Sequence, residues 1–229
     1  MKKKLLSIVL AISTLLTCMF AFSGCGVLDS LGDLGKKDGF TKAVEAVMDN
    51  CTIEVRGMNI SAGGQTQANP QNFTYKFTET RVYLFAPTQD DVAATWVAEG
   101  GTYKYWKMTT SSMTWQGPET RTKTEYNNAR KNSFDLFFGY FTKKSSLFVL
   151  NEAKTQYTNS APVEIKIGEG SAAMTYTYTN VLINLTDGAI RSATYDLSLS
   201  YSYLGVQMVE TYTGSVNFIG STSVDIPNA

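Results

Sequence analysis

Ala193-Thr194-Tyr195-Asp196-Leu197-Ser198-Leu199-Ser200-Tyr201-Ser202-Tyr203 is the stretch on which the fold of this chain turns. Its odd positions are Ala, Tyr, Leu, Leu, Tyr and Tyr, while its even positions are Thr, Asp and three serines. A strict period of two marks an antiparallel strand with one dry and one wet face. Upstream, Asp187-Gly188 predicts a hairpin with a strand over residues 174–185. Downstream, Gly205 opens a turn into a strand over 206–218, so three long strands in succession form a meander. In the first of these strands the bulky residues change phase, from Met174, Tyr176 and Tyr178 to Val181, Ile183 and Leu185. A one-residue slip sends side chains to the opposite face, so a bulge or sharp coil is expected near Asn180, and with it a bent sheet.

Further toward the N-terminus the alternation recurs in shorter pieces. Ile53 and Val55 begin one strand, and Phe73, Tyr75 and Phe77 carry another. Residues 82–86 are a short apolar run closed by Pro87, and 95–108 read as a hairpin turned at Gly100-Gly101, flanked by Trp96, Tyr103, Tyr105 and Trp106. Two segments have helical spacing instead. Phe40, Ala43, Val44, Val47 and Met48 share one face behind a possible cap at Asp38, and Ala129, Phe134, Phe137, Phe138 and Phe141 approximate the same period over 127–150. With Leu136 and Tyr140 the second segment is too apolar for a solvated loop. It reads as a core helix plugging the open face of a sheet, the competing reading being a cofactor or membrane-insertion element. The expected fold is therefore mainly β (α+β): a curved antiparallel sheet or open half-barrel with an N-terminal helix and a central helical segment.

The first 24 residues have the three parts of an export signal: Lys2, Lys3 and Lys4, an apolar stretch over 5–22, and small Ser23-Gly24 ahead of Cys25. At about 18 residues the stretch is near the lower limit for spanning a bilayer. Ser7, Ser13, Thr14 and Thr17 dilute it, which favours a processed signal over an anchor helix. The chain divides into a signal peptide (1–24), a cysteine-headed tether (25–38) and a single domain (39–229). The tether, rich in glycine and charge, would reach about 40 Å at roughly 3.3 Å per residue. Phe22-Ser23-Gly24-Cys25 resembles the lipobox of bacterial lipoproteins, with Phe22 where that family usually has leucine. Cys18 fits less well, because Thr17 before it is bulkier than the residues processed there. The resemblance implies that Cys25 is lipidated and that the protein is exported and held on the outer face of the cell membrane; residues 178–190 and 222–227, which resemble late strands of lipoproteins from Gram-positive bacteria, imply such a cell rather than a Gram-negative one.

Loss of three lysines with the signal leaves 17 of the 20 basic residues against 20 acidic ones, a net charge of −3. Such a balance lacks the footprint of a nucleic-acid-binding protein. With Cys25 acylated, Cys51 has no disulfide partner, so stability rests on a packed core, which roughly 190 residues suffice to build. The chain holds no histidine, which removes Ser-His-Asp and Cys-His catalysis and histidine zinc sites. It has no phosphate-binding glycine loop and no CxxC pair. No enzyme activity, metal or cofactor is expected. Asp90-Asp91 after Pro87 reads as a solvated turn before it reads as a cation site, and Arg130-Lys131 with Lys143-Lys144 read as solvated helix ends or as attractors of anionic head groups. Glu210 shares parity with Val206, Met208, Tyr212 and Val216. Pointing inward it would need a partner or a ligand, and a local bulge turning it to water is the cheaper outcome. Trp96, Trp106 and Trp115 suit either packing or stacking on a ligand.

The order of elements, with residues 178–190 (Tyr-Thr-Asn-Val-Leu-Ile-Asn-Leu-Thr-Asp-Gly-Ala-Ile) and the closing Thr222-Ser223-Val224-Asp225-Ile226-Pro227, resembles the late strands of the LolA-like lipoprotein carriers, including the LppX and LprG types. That resemblance implies an open half-barrel whose cavity takes a lipid or other apolar ligand, with Phe134, Phe137, Phe138, Phe141 and Glu210 as candidate ligand-binding residues. The rival expectation is a cell-surface interaction module that binds protein or glycan through exposed aromatics. An enzyme working through carboxylates is a third. For the anchor the expected outcome is specific: Cys25→Ala abolishes incorporation of a fatty-acid probe during metabolic labelling, and equal label on both proteins would remove the lipid anchor from consideration.

Overall fold

The computed structural model describes residues 39–86, 91–170, 173–217 and 222–228. Cys25, Asp38 and Asp90 lie outside these residues. Helix α1 (Gly39–Ala46) runs into a 3-10 turn (Val47–Asp49) and then into β1 (Asn50–Ala62), β2 (Gln65–Ala68), β3 (Asn72–Thr78), β4 (Arg81–Phe85), β5 (Asp91–Glu99), β6 (Thr102–Thr109) and β7 (Trp115–Arg121). Helix α2 (Lys123–Phe137) and a 3-10 segment (Gly139–Leu147) follow. The chain then returns to strands with β8 (Phe148–Leu150), β9 (Gln156–Asn159), β10 (Val163–Ile167), β11 (Met174–Thr186), β12 (Ala189–Tyr203) and β13 (Val206–Asn217).

All described strands join one antiparallel sheet in the order β7-β6-β5-β4-β3-β1-β13-β12-β11-β9-β8, with β2 on β1 and β10 on β11. The sheet is curved and open, a half-barrel, as the alternation implied. One register row shows why it holds together: Ala94, Leu84, Tyr75, Ile53, Val216, Ala193, Ile183 and Tyr157 stand side by side across eight strands. All but Tyr157 are buried, so each strand contributes an apolar side chain to the same line on the concave face. The strand quoted at the outset keeps its pattern, with Tyr195, Leu197, Leu199 and Tyr201 buried and Thr194, Asp196 and Ser202 exposed.

The expected irregularity near Asn180 is present. Pairing between β11 and β12 shifts between Thr179 and Leu182, and Asn180 has φ +51°. Its amide donates to Asp196 Oδ2 at 2.7 Å, and the freed Val181 N–H donates to Asn159 Oδ1 at 2.8 Å. A second local device sits where Tyr195 pairs with Gly214: the ring lies across the glycine, where any Cβ would collide with it. Asp187 (φ +52°) and Gly188 (φ +76°) make the predicted hairpin turn.

Two expectations are corrected. The helix expected over 127–150 begins earlier and ends earlier. Thr122 caps it, its Oγ1 accepting from Glu125 N while Glu125 Oε2 accepts from Thr122 N at 2.8 Å. Lys-Thr-Glu-Tyr-Asn-Asn in its first turns carries no apolar period, so only the cap marks the start. At the other end Gly139 lies against the Asp135 carboxylate and the Phe134 ring, the chain tightens into the 3-10 segment, and 148–150 is strand. The closing segment 222–227, which resembled a late strand, is irregular. Its Thr222 N–H donates to Asn50 Oδ1 at 2.9 Å and its Val224 carbonyl accepts from Arg81 Nη1 at 2.7 Å.

The two faces of β12 differ in what they tolerate. Leu197→Asp places a charge on the buried face and should cost several kcal/mol, whereas Ser198→Asp on the outer face should cost under about 1 kcal/mol. Denaturant melts of the two variants measure the difference. Comparable losses would mean that the outer face of the meander is covered as well.

Candidate functional site

The phenylalanines of the central segment lie together in the interior. Phe134, Phe137, Phe138 and Phe141 are 2, 3, 1 and 0% exposed. Phe137 lies 4.7 Å from Tyr75, measured between ring centroids, and Phe134 meets Phe77 edge-on at 5.8 Å. Phe141 takes Tyr178, Phe148 and Tyr195 at 5.1, 5.2 and 5.9 Å. The void left under α2, walled by Val55, Phe73, Leu136, Phe137, Tyr176 and Tyr212 among others, measures about 10 Å³. That is room for about one water and none for an acyl chain.

Arg130, expected at a solvated helix end, is corrected to a buried clamp at 6% exposure. Its guanidinium donates to the carbonyls of Thr78, Glu79 (2.9 Å) and Met48 (3.1 Å), to the Tyr126 hydroxyl (3.3 Å) and to Asp49 Oδ1 (2.5 Å). It thus ties α2 to the β3–β4 turn and to the 3-10 turn before β1. Tyr178 ties the C-terminal end of α2 by donating to the Leu136 carbonyl. Lys131 pairs with Asp135 on its own helix, Lys143 lies 4.4 Å above the Tyr140 ring, and Lys143 and Lys144 are exposed.

Glu210 does not turn to water, which corrects the cheaper expectation. It is 1% exposed, and both carboxylate oxygens are taken: Tyr201 donates to Oε1 at 2.5 Å and Tyr212 donates to Oε2. Two phenols supply the partners that parity alone left unnamed. Burial raises its pKa above the ordinary 4.5, against the two hydrogen bonds that lower it. Cys51 is a buried free thiol, pushed up by the same desolvation, and so is not a nucleophile in waiting. Among the described residues no three Cys, Asp or Glu side chains gather to hold a metal.

The structure separates the aromatic residues around the Gly100-Gly101 turn. Trp96 and Tyr105 lie on the inner side, 4.5 Å apart, with the Arg121 guanidinium 5.0 Å from the Tyr105 ring; Arg121 is itself paired with Glu119 and with Glu125 at 3.5 Å. Trp106 lies on the outer side. There the register sets Phe85, Ala93, Met108 and Trp115 in one row, Tyr83, Thr95 and Trp106 in the next, and Arg81, Val97 and Lys104 in a third. Ala93, Thr95, Val97 and Trp106 are buried, while Tyr83, Phe85, Met108 and Trp115 remain half-buried. Lys76 Nζ stands 5.9 Å over the Tyr83 ring. The outer face of β12, by contrast, carries Thr194, Asp196, Ser198 and Ser200. The sequence held one sign of this apolar outer face: 82–86 is apolar at every position, where a strand with one wet face would alternate.

No family model and no curated protein matches this chain. Among solved structures it is similar to a DUF1329 family protein from Desulfovibrio piger, at 8% identity over 82% of this chain and 96% of that one, with a TM-score of 0.29. It is also similar to the ywiB protein from Bacillus subtilis, at 10% identity over 77% and 93% of the two chains, with a TM-score of 0.20. At these scores neither likeness bears on function.

The buried carboxylate has a measurable signature. Because the folded value lies above 4.5, the stability that Glu210 gives is full below that pH and is lost as pH rises through the folded value. Melting temperature should fall across that interval, and Glu210→Gln should flatten the profile and melt higher at neutral pH. A Gln variant melting lower at every pH would mean that accepting from two tyrosines outweighs the desolvation of the charge.

Proposed function

We propose that this protein is a lipid-anchored extracytoplasmic binding module without catalytic activity, which takes its ligand on the outer aromatic face of β4–β7. The observation that carries this reading is the contrast between two places where an apolar ligand might be sought. The void under α2, which Phe137 lines, measures about 10 Å³, whereas the outer face of β4–β7 presents Tyr83, Phe85, Met108 and Trp115 where that of β12 presents Thr194, Asp196, Ser198 and Ser200. Contiguous apolar surface on the outside of a sheet marks a binding face. Flat rings suit stacking on sugar rings or on the side chains of an extended peptide, and Lys76, Arg81 and Lys104 beside them suit anionic groups on such a polymer. The curved open sheet is compatible with a ligand-binding role, and the anchor at Cys25 rests on Phe22-Ser23-Gly24-Cys25.

A second reading follows from the LolA-like resemblance, in which the half-barrel holds an apolar cargo under α2. The dry lining of the void favours it. It requires α2 and the 3-10 segment to leave the sheet, breaking the Arg130 and Tyr178 ties.

One set of samples separates the two. With Phe85→Ser and Trp115→Ser combined, binding to glycan and acidic-peptide arrays should weaken at least about fivefold, since two stacked rings are worth roughly 0.5–1.5 kcal/mol each, while the fold persists. Arrays bound equally by parent and variant, together with lipid co-purifying in native mass spectrometry and lost on Phe137→Ala, would replace the outer face with the interior.

A further inference from the structure

The closing segment 222–228 lies on the outer side of the sheet. Its Thr222 N–H donates to Asn50 Oδ1, its Thr222 hydroxyl stands 3.4 Å from that of Thr52, and its Val224 carbonyl accepts from Arg81 Nη1 at 2.7 Å. Asn50 and Thr52 alternate with buried Cys51 and Ile53 on β1, as Arg81 does with buried Val82 on β4, so all three point away from α2. Because β3 lies between β1 and β4, the segment crosses the strands instead of pairing with them.

Val224 is the buried side chain of this segment, at 4% exposure. It does not join the core under α2, and neither do Val92, Ala93, Val97 and Trp106. Ala93, Val97 and Trp106 are on the outer face, and the bond to Arg81 puts Val224 there as well. Arg81 is in register with Val97, and Val97 with Lys104, one row from Tyr83, Thr95 and Trp106. A bare sheet surface leaves its side chains wet, yet Val97 and Trp106 are 2 and 5% exposed. Chain anchored at Arg81 accounts for cover on the Val97 side, and Gly117 lies against Trp106 on the other.

Two properties make the segment an occupant of this face more than a built part of the fold. Around Val224, residues Ser223, Asp225, Ile226 and Asn228 are exposed, and a run with one buried side chain and no strand pairing belongs to the weakly held end of a structure. The neighbouring row is also incomplete: Thr95 is buried with its hydroxyl unpartnered among the described residues, which is costly. A peptide laid further along the row would bring N–H and C=O groups to it.

We infer that the ligand of the outer face is an extended peptide with a β-branched side chain where Val224 lies, and that residues 222–227 are a displaceable stand-in for it. This rests on the outer-face reading and narrows its ligand to peptide. Where the segment lies, main chain crosses the sheet, Arg81 takes a carbonyl and a small apolar side chain is buried. Ligand must displace the segment, so its apparent affinity is lowered by the fraction of molecules in which the lane is filled.

NMR on the full chain with a synthetic peptide of residues 222–228 tests this. A tethered segment competes at an effective concentration of about millimolar, so the peptide is taken to that level. Val224→Asp in the chain expels its own segment and should bind the peptide at least about tenfold more tightly than the parent does, with shifts at Val97 and the Trp106 indole, while still melting as a folded domain. Adding Arg81→Ala should remove that gain, and a peptide carrying the same Val224→Asp change should not bind. Val224→Ser repeats the comparison with a milder change. The inference fails if the peptide binds none of the variants, if parent and Val224→Asp bind it alike, if Arg81→Ala leaves the gain intact, or if Val224→Asp and Val224→Ser both unfold, which would make the segment a fixed part of the fold. After such a failure, glycan binding that is lost with Phe85→Ser and Trp115→Ser leaves the outer-face reading standing, whereas no loss there removes both.

Discussion

An open, curved sheet exposes its concave face unless something covers it, and in this chain the covering comes chiefly from one stretch between β7 and β8. Phe134, Phe137, Phe138 and Phe141 fill the hollow, each touching other rings at 4.7–5.9 Å. Burial of each such side chain is worth about 3–5 kcal/mol when judged by its loss. The polar cost of seating a helix there is met at its middle and at its C-terminal end. Arg130 answers carbonyls left free by the β3–β4 turn and the 3-10 turn, and Tyr178 answers the Leu136 carbonyl. A guanidinium suits the first task because its forked donors reach several acceptors at once.

That arrangement changes where a ligand is to be sought. A half-barrel with an empty hollow invites an apolar cargo, but here the hollow is a core. The same β4–β7 unit that borders it has a second apolar side, because β4 and its partners carry large residues at both parities. Ala93, Thr95, Val97 and Trp106 are buried on the outer face, while Tyr83, Phe85, Met108 and Trp115 beside them stay half-buried. Glu210 belongs with the interior: two phenols hold it, and its raised pKa reports desolvation.

Charge is distributed over the sheet as unevenly as apolar surface is. Lysines, arginines and acids collect around β3–β7, α2 and the hairpin at Asp187-Gly188, whereas the end reached by β2, the start of β11 and the β12–β13 turn has almost none. No single run announces this, since each is an ordinary stretch of Ser, Thr, Gln and Asn. Only strand pairing makes them neighbours.

The sequence by itself determined the meander, its bulge at Asn180, the turn at Asp187-Gly188, the N-terminal helix and the apolar character of the central segment. Each is written in local spacing: period two, period 3.6, or a residue suited to positive φ. It also carried the lipobox-like Phe22-Ser23-Gly24-Cys25, which lies outside the described residues. Parity placed Glu210 on the dry side but gave no partner, because Tyr201 and Tyr212 reach it across and along strands. Tertiary structure alone decided that Arg130 is buried, since its acceptors are carbonyls some 50 and 80 residues away and backbone oxygens leave no mark in a sequence. It alone decided that the phenylalanines close the hollow and that Trp96 and Trp106 part to opposite faces of one sheet. Periodicity tells which side chains share a face; what that face meets depends on chain brought from elsewhere.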